Sequence, residues 1–125
     1  MTTDSLRSEL RLAIRAAQDK KAAAVTLLDL AELGAFTEQF LLCTGFSARQ
    51  VEAIGDSIAE TLAQHGQRLA HREGKPGAEW MLLDFGWLVV HVFTERARQF
   101  YDLERLWRAA RRTDIPDPAP GVAPA

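Results

Sequence analysis

Asp84-Phe85-Gly86 are the three letters with which protein kinases hold magnesium, and they stand in the stretch EWMLLDFGWLVVHVF, Glu79 to Phe93. A kinase also needs a glycine-rich phosphate loop, a strand lysine and a His-Arg-Asp catalytic loop. None of these is in the sequence, and 125 residues cannot house two kinase lobes. Met81-Leu82-Leu83 and Leu88-Val89-Val90 are short apolar runs of strand formers, with Asp84-Phe85-Gly86-Trp87 between them as a turn. The spacing predicts a β-hairpin in which the aspartate serves the turn.

Other chemistry is sparse. His65, His71 and His91 lack the spacing of a zinc site, and Cys43 is the single thiol that could join them. Cys43 lies between Leu42 and Thr44 on a predicted inner strand, which makes it an inert buried thiol. No Gly-x-Ser-x-Gly elbow and no Walker loop occurs. In CTGFSARQ, however, Gly45 and Ser47 fall between a strand and a helix, as the Gly-Ser pair does in polymerase-beta-type nucleotidyltransferases. Such an enzyme needs two or three clustered carboxylates to hold two metal ions. The usual Asp-x-Asp is missing, and Asp29 and Asp84 are the strand-end acids left. A nucleotidyltransferase-like enzyme is therefore the alternative reading, with a non-enzymatic one ahead of it. Arg105, Arg108 and Arg112 form one basic helical stripe and Arg7, Arg11 and Arg15 another. Both read as solvated helix faces, with rRNA contact as the exception for the C-terminal one.

The elements that position these residues follow from periodicity. Leu6, Leu10, Ala13, Ile14 and Ala17 predict a helix from about Asp4 to Asp19. Ala23–Leu30 and Gln39–Gly45 read as strands. Ser47 with Gln50 makes a capping box, Val51, Ile54, Ile58 and Leu62 a buried stripe, and Gly66 a helix stop. A weak strand over Gln67–His71, the hairpin, and a helix from Glu95 complete the order α-β-β-α-(β)-β-β-α. That order is a small single α/β domain, a mixed β-sheet flanked by helices, over residues 1–112. Residues 113–125, TDIPDPAPGVAPA, hold four of the five prolines and read as a disordered proline-rich tail.

Composition sets the outer limits. Apolar residues are 47% and charged residues 26%, and the formal net charge is −2, so no global field draws the chain to nucleic acid or anionic lipid. No apolar run approaches the roughly 20 residues that span a bilayer. MTTDSLRSEL carries acids and no apolar h-region, and one cysteine suits a reducing compartment. The expected location is cytoplasmic, with no membrane partner.

The strings TEQFLLCTGFSARQVEAIGDSI and EGKPGAEWMLLDFGWLVVHVFTERARQFYDLERLW resemble the Iojap family, known in bacteria as ribosomal silencing factor S, over about Leu6 to Trp107. Six pieces carry the resemblance in order. They are Thr-Gly-x-Ser-x-Arg, Glu-Gly before the loop, Glu-Trp opening the hairpin, the Asp-x-Gly turn, Val-His-Val and Tyr-Asp-Leu-Glu-x-Leu-Trp. Trp87, Phe46, Gln50 and Glu38 depart from the family's common acid, threonine, histidine and aspartate.

The resemblance implies a nucleotidyltransferase-like fold that has lost the enzyme's metal-binding acids, needs no cofactor and holds no metal. It implies a translation repressor that binds the large ribosomal subunit through large-subunit ribosomal protein fourteen. Occupying the face that meets the small subunit, it blocks subunit joining when nutrients are short; the alternative role is large-subunit assembly. It also allows a homodimer and a minor rRNA contact. Partner-binding residues expected on this basis are Trp80, Asp84, Phe85, Glu95, Tyr101 and Asp102, with Trp80 as a partly exposed anchor and His91 as a hydrogen-bonded structural residue.

Overall fold

Leu10, Ala13, Ile14 and Ala17 close one face of the first helix, α1 (Ser8–Asp19), and all four are buried. The computed structural model describes residues 6–118. Leu6 and Arg7 approach α1 outside its helical turns, so it starts at Ser8 rather than near Asp4. The next elements stand where periodicity puts them: β1 is Ala23–Asp29 and β2 is Gln39–Gly45. Helix α2 (Ala48–Gln64) begins on the predicted cap, with Ser47 Oγ accepting from Gln50 N at 3.1 Å. The return half of the box differs: Gln50 Oε1 takes the Phe46 amide at 2.6 Å instead of Ser47's. Gln50 Nε2 donates to the carbonyls of Lys20 and Lys21, so this side chain also ties α2 to the end of α1.

Strand β3 (His71–Glu73) is shorter and later than predicted, because an exposed edge strand carries no apolar alternation to mark it. The hairpin is β4 (Trp80–Asp84) and β5 (Leu88–Thr94). One helix was expected from Glu95; the chain forms two, α3 (Glu95–Tyr101) and α4 (Leu103–Leu106). Between them Asp102 turns left-handed, at φ +49°, a conformation aspartate tolerates better than most residues. The turn redirects Leu103 and Trp107 onto the sheet.

Six strands form one sheet in the order β3-β4-β5-β2-β1-β6. Only the central pair β2–β5 is parallel among these neighbours. The sixth strand corrects the domain boundary at residue 112. Arg111–Asp114 is a strand, β6, pairing antiparallel with β1, and the next residue, Ile115, is buried against α1 and β1. Four prolines close together suggested a tail, but they follow Ile115, and the chain before them completes the sheet edge. The proposed disorder beyond Pro118 lies outside the described residues.

Strand alternation divides the core in two. Leu27, Leu41, Cys43, Met81, Leu83, Val90 and Val92 face α1 and α2. Gly55 lets α2 approach this face: a Cβ there would stand 2.1 Å from Met81 Sδ. Leu28, Phe40, Leu42, Val89 and Phe93 face the other way, where Ala97, Leu103, Trp107 and Ala110 cover them.

Candidate partner-binding site

The second face of the sheet is where the hairpin presents aromatic surface. Trp80, Leu82 and Asp84 alternate onto this side of β4, and His91 and Phe93 onto the same side of β5. Trp80 is half-buried, its ring centroid 5.2 Å from Phe93 in a stacked arrangement and 4.4 Å from Tyr101. Its Nε1–H donates to Nδ1 of His91 at 3.1 Å. Burial holds His91 neutral, pushing its pKa down to about 4. As expected from sequence, His91 is a hydrogen-bonded residue of the fold, 4% exposed.

Tyr101 keeps 49% of its surface exposed and meets Phe100, itself 80% exposed, edge to face. Asp102 follows in the left-handed turn. These residues form a continuous patch: an indole, a phenol and a phenyl ring with a carboxylate at its margin. Much of the patch's exposed apolar area comes from α3, which bare strand periodicity did not signal. Glu95 opens α3 at the same end of the sheet and lines a neighbouring cleft of about 810 Å³ with Gly45, Phe46 and Ser47.

Two of the six expected contact residues stand elsewhere. Phe85 is buried, 7% exposed, in the core that faces α1 and α2, so it is no part of this surface. The reason is parity: position 85 continues the Met81-Leu83 alternation, away from Trp80. Asp84 shares Trp80's side but lies four residues along β4, about 13 Å away. Its Oδ1 accepts from Gly86 N at 2.8 Å, the turn role expected for it. Gly86 is at φ +90°, and buried Thr37 donates to its carbonyl.

The departures Trp87 and Phe46 resolve differently. Trp87 fills a local pocket: Nε1 donates to Gln67 at 2.8 Å and Arg7 lies over its ring at 3.8 Å. Phe46 is 80% exposed at the cleft.

The cleft bears on the enzymatic alternative. Gly45 and Ser47 line it at the C-terminal end of β2. Asp29 pairs with Gln39 and Asp84 with Val89, which places both acids at the opposite end of the strands. Six residue steps along β2 separate the two ends, about 20 Å. Asp29 also spends an oxygen on the Ala31 amide. Among the described residues no three His, Cys, Asp or Glu side chains stand together as metal ligands. Within the cleft Glu79 pairs with Arg96, and Glu104 with Arg98 and Arg112.

Sequence reasoning passed over Arg98. It stands behind the site, bonding Ala24 O, Thr44 Oγ1, Thr26 Oγ1 and Glu104. Ala24, at φ +48°, sits in the β1 irregularity, and its carbonyl accepts from Arg98. A signal was present: the glutamate of Tyr-Asp-Leu-Glu lies six residues after an arginine, across the helix break. Cys43 is fully buried, as expected, and burial pushes its thiol up to about 12.

Known proteins match this chain over nearly its whole length. Residues 3–124 match the family model described as ribosomal silencing factor during starvation. A ribosomal silencing factor of Bacillus subtilis is 37% identical over 109 residues, 87% of this chain and 92% of that protein. The chloroplastic Iojap protein of Arabidopsis thaliana is 34% identical over 113 residues, 90% of this chain and 47% of that longer protein. A crystal structure from Chromobacterium violaceum superposes with a TM-score of 0.77 at 33% identity, covering 94% of this chain and 92% of that one. With a family model across almost every residue and a matching fold, the chain belongs to the ribosomal silencing factor family.

Proposed function

We propose that this protein is a cytoplasmic translation repressor that binds the large ribosomal subunit through large-subunit ribosomal protein fourteen and keeps the small subunit from joining. The mechanism is steric and needs no turnover. The observation that carries the reading is the half-buried Trp80 packed against half-exposed Tyr101 on the sheet face away from α1 and α2. An aromatic anchor with exposed apolar neighbours and a rim of acids is how protein interfaces concentrate binding energy. Asp102 and Glu95 supply negative charge to a basic ribosomal protein. Arg105 on α4 and Arg108 just after it, both exposed, supply the minor rRNA contact at the rim.

Sedimentation tests this. Purified protein added to free large subunits should comigrate with them, and joined ribosomes assembled afterwards should fall in proportion to the protein bound. Comigration without loss of joining would favour the assembly role instead. Magnesium-dependent consumption of a nucleoside triphosphate would overturn the non-enzymatic reading.

A further inference from the structure

We infer that His91 is a positioning residue for the Trp80 indole, holding it in the one orientation in which the large subunit meets it. This rests on the reading of Trp80 as a contact residue. Because His91 Nδ1 accepts the indole N–H at 3.1 Å, the neutral imidazole keeps its proton on Nε2. That nitrogen is buried and finds no acceptor among the described residues. A buried donor left unpaired costs stability that an apolar side chain of similar shape would not. The flanking positions on the same face of β5, Val89 and Phe93, are indeed apolar and buried. What histidine adds to this row is an acceptor aimed at one N–H.

The imidazole is itself held. Phe40 meets its edge with centroids 4.6 Å apart, and the Phe93 ring lies within 9° of parallel at 5.9 Å. Trp80 also packs, on Phe93 at 5.2 Å and Tyr101 at 4.4 Å, but it is only half-buried and Tyr101 is itself 49% exposed. A tryptophan ring has two broad orientations about its second side-chain torsion, and at a half-open site packing alone separates them weakly. The acceptor on His91 selects the inward N–H. Fixing an anchor before its partner arrives removes an ordering cost from binding.

Three changes in the full chain test the inference. His91→Leu removes the acceptor and keeps bulk, His91→Asn returns an oxygen near the place of Nδ1, and Trp80→Phe keeps a ring without the N–H. Binding is read by titration onto free large subunits, and the indole N–H signals by NMR, assigned with Trp87→Phe and Trp107→Phe. His91→Leu should bind at least tenfold more weakly with an unchanged or higher melting temperature, and its Trp80 N–H signal should shift and exchange faster. His91→Asn should bind within threefold of the parent. In the Trp80→Phe background His91→Leu should cost less than twofold. Parental binding by His91→Leu alongside weak binding by Trp80→Ala overturns the positioning role and spares the contact. An equal loss in the Trp80→Phe background, or a tenfold loss in folded His91→Asn, overturns it as well. Parental binding by Trp80→Ala removes the contact itself and both readings with it.

Discussion

Arg98 and Glu104 face each other across the break between α3 and α4, Nε 2.9 Å from Oε1, with side chains only 11% and 20% exposed. The same guanidinium reaches the β1 irregularity at Ala24 and the β2 end at Thr44, so one ion pair joins the second face's helices to two strands. Hydrogen bonding from Arg98 holds the Glu104 carboxyl below its ordinary range. Removing the anion from a largely shielded pair leaves the cation uncompensated. Glu104→Ala should therefore lower unfolding stability by about 3 kcal/mol in urea titrations. A loss below about 1 kcal/mol would mean that the pair behaves as a surface bridge.

Trp80→Ala should weaken large-subunit binding by about 2 kcal/mol or more, the effect of truncating an interface aromatic. The protein should remain folded, since the indole is only half-buried. Phe85→Ala makes the contrast: this ring is core, so about 3 kcal/mol of stability should go, with affinity unchanged for the fraction still folded. Circular dichroism beside the binding titration separates the two.

Arg11 and Arg15 are exposed on α1, which packs on the opposite side of the sheet from Trp80. Reversing both to glutamate should leave affinity for the large subunit within about twofold, as expected for residues outside the contact. Arg7 is excluded from that set, because it lies over Trp87 and pairs with Glu9. A tenfold loss with Arg11→Glu and Arg15→Glu would move the interface to the helical face.

Ile115→Ala should destabilise the fold by about 2–4 kcal/mol, the range for emptying a buried aliphatic site. Ile115 N also donates to Val25 O and Gln18 donates to Pro116 O, so the chain here straps α1 to β1. An unchanged melting temperature would restore the domain boundary at residue 112.

Acid should weaken the fold through His91. Its pKa falls from 6.5 to about 4 on burial, so between those values the unfolded chain binds a proton that the folded one refuses. Stability is then full above pH 6.5 and falls as pH drops toward 4, by about 3 kcal/mol in all. Glu104 and Asp114, whose carboxyls are held low by arginine contacts, lose their contribution only at lower pH. His91→Leu should flatten the stability profile between pH 6.5 and 5. An unchanged slope in that variant would assign the proton elsewhere.

The elements with a strong local period were legible in the residues themselves. Val51, Ile54, Ile58 and Leu62 recur at helical spacing behind a Ser47 cap, and α2 stands there because each turn buries one of them. The apolar runs of β1, β2 and β5 needed no context either, since strands buried on both faces are apolar throughout. Family membership was readable from short motifs in order, because turns and caps constrain residue type at fixed offsets.

Tertiary structure decided what depends on a distant partner. β6 exists because β1 offers it an edge; Arg111–Asp114 has no apolar alternation of its own and precedes a proline-rich stretch. Phe85 went to the helical core and Asp84 to the far end of the strand because pleat parity and strand length, not nearness in sequence to Trp80, set their places. Local sequence named Trp80, Tyr101 and His91 as separate residues. Only the pairing of β4 with β5, and the return of α3 over them, brought the indole onto the imidazole and the phenol onto the indole. A side chain's type is a local property; its neighbours are a property of the whole fold.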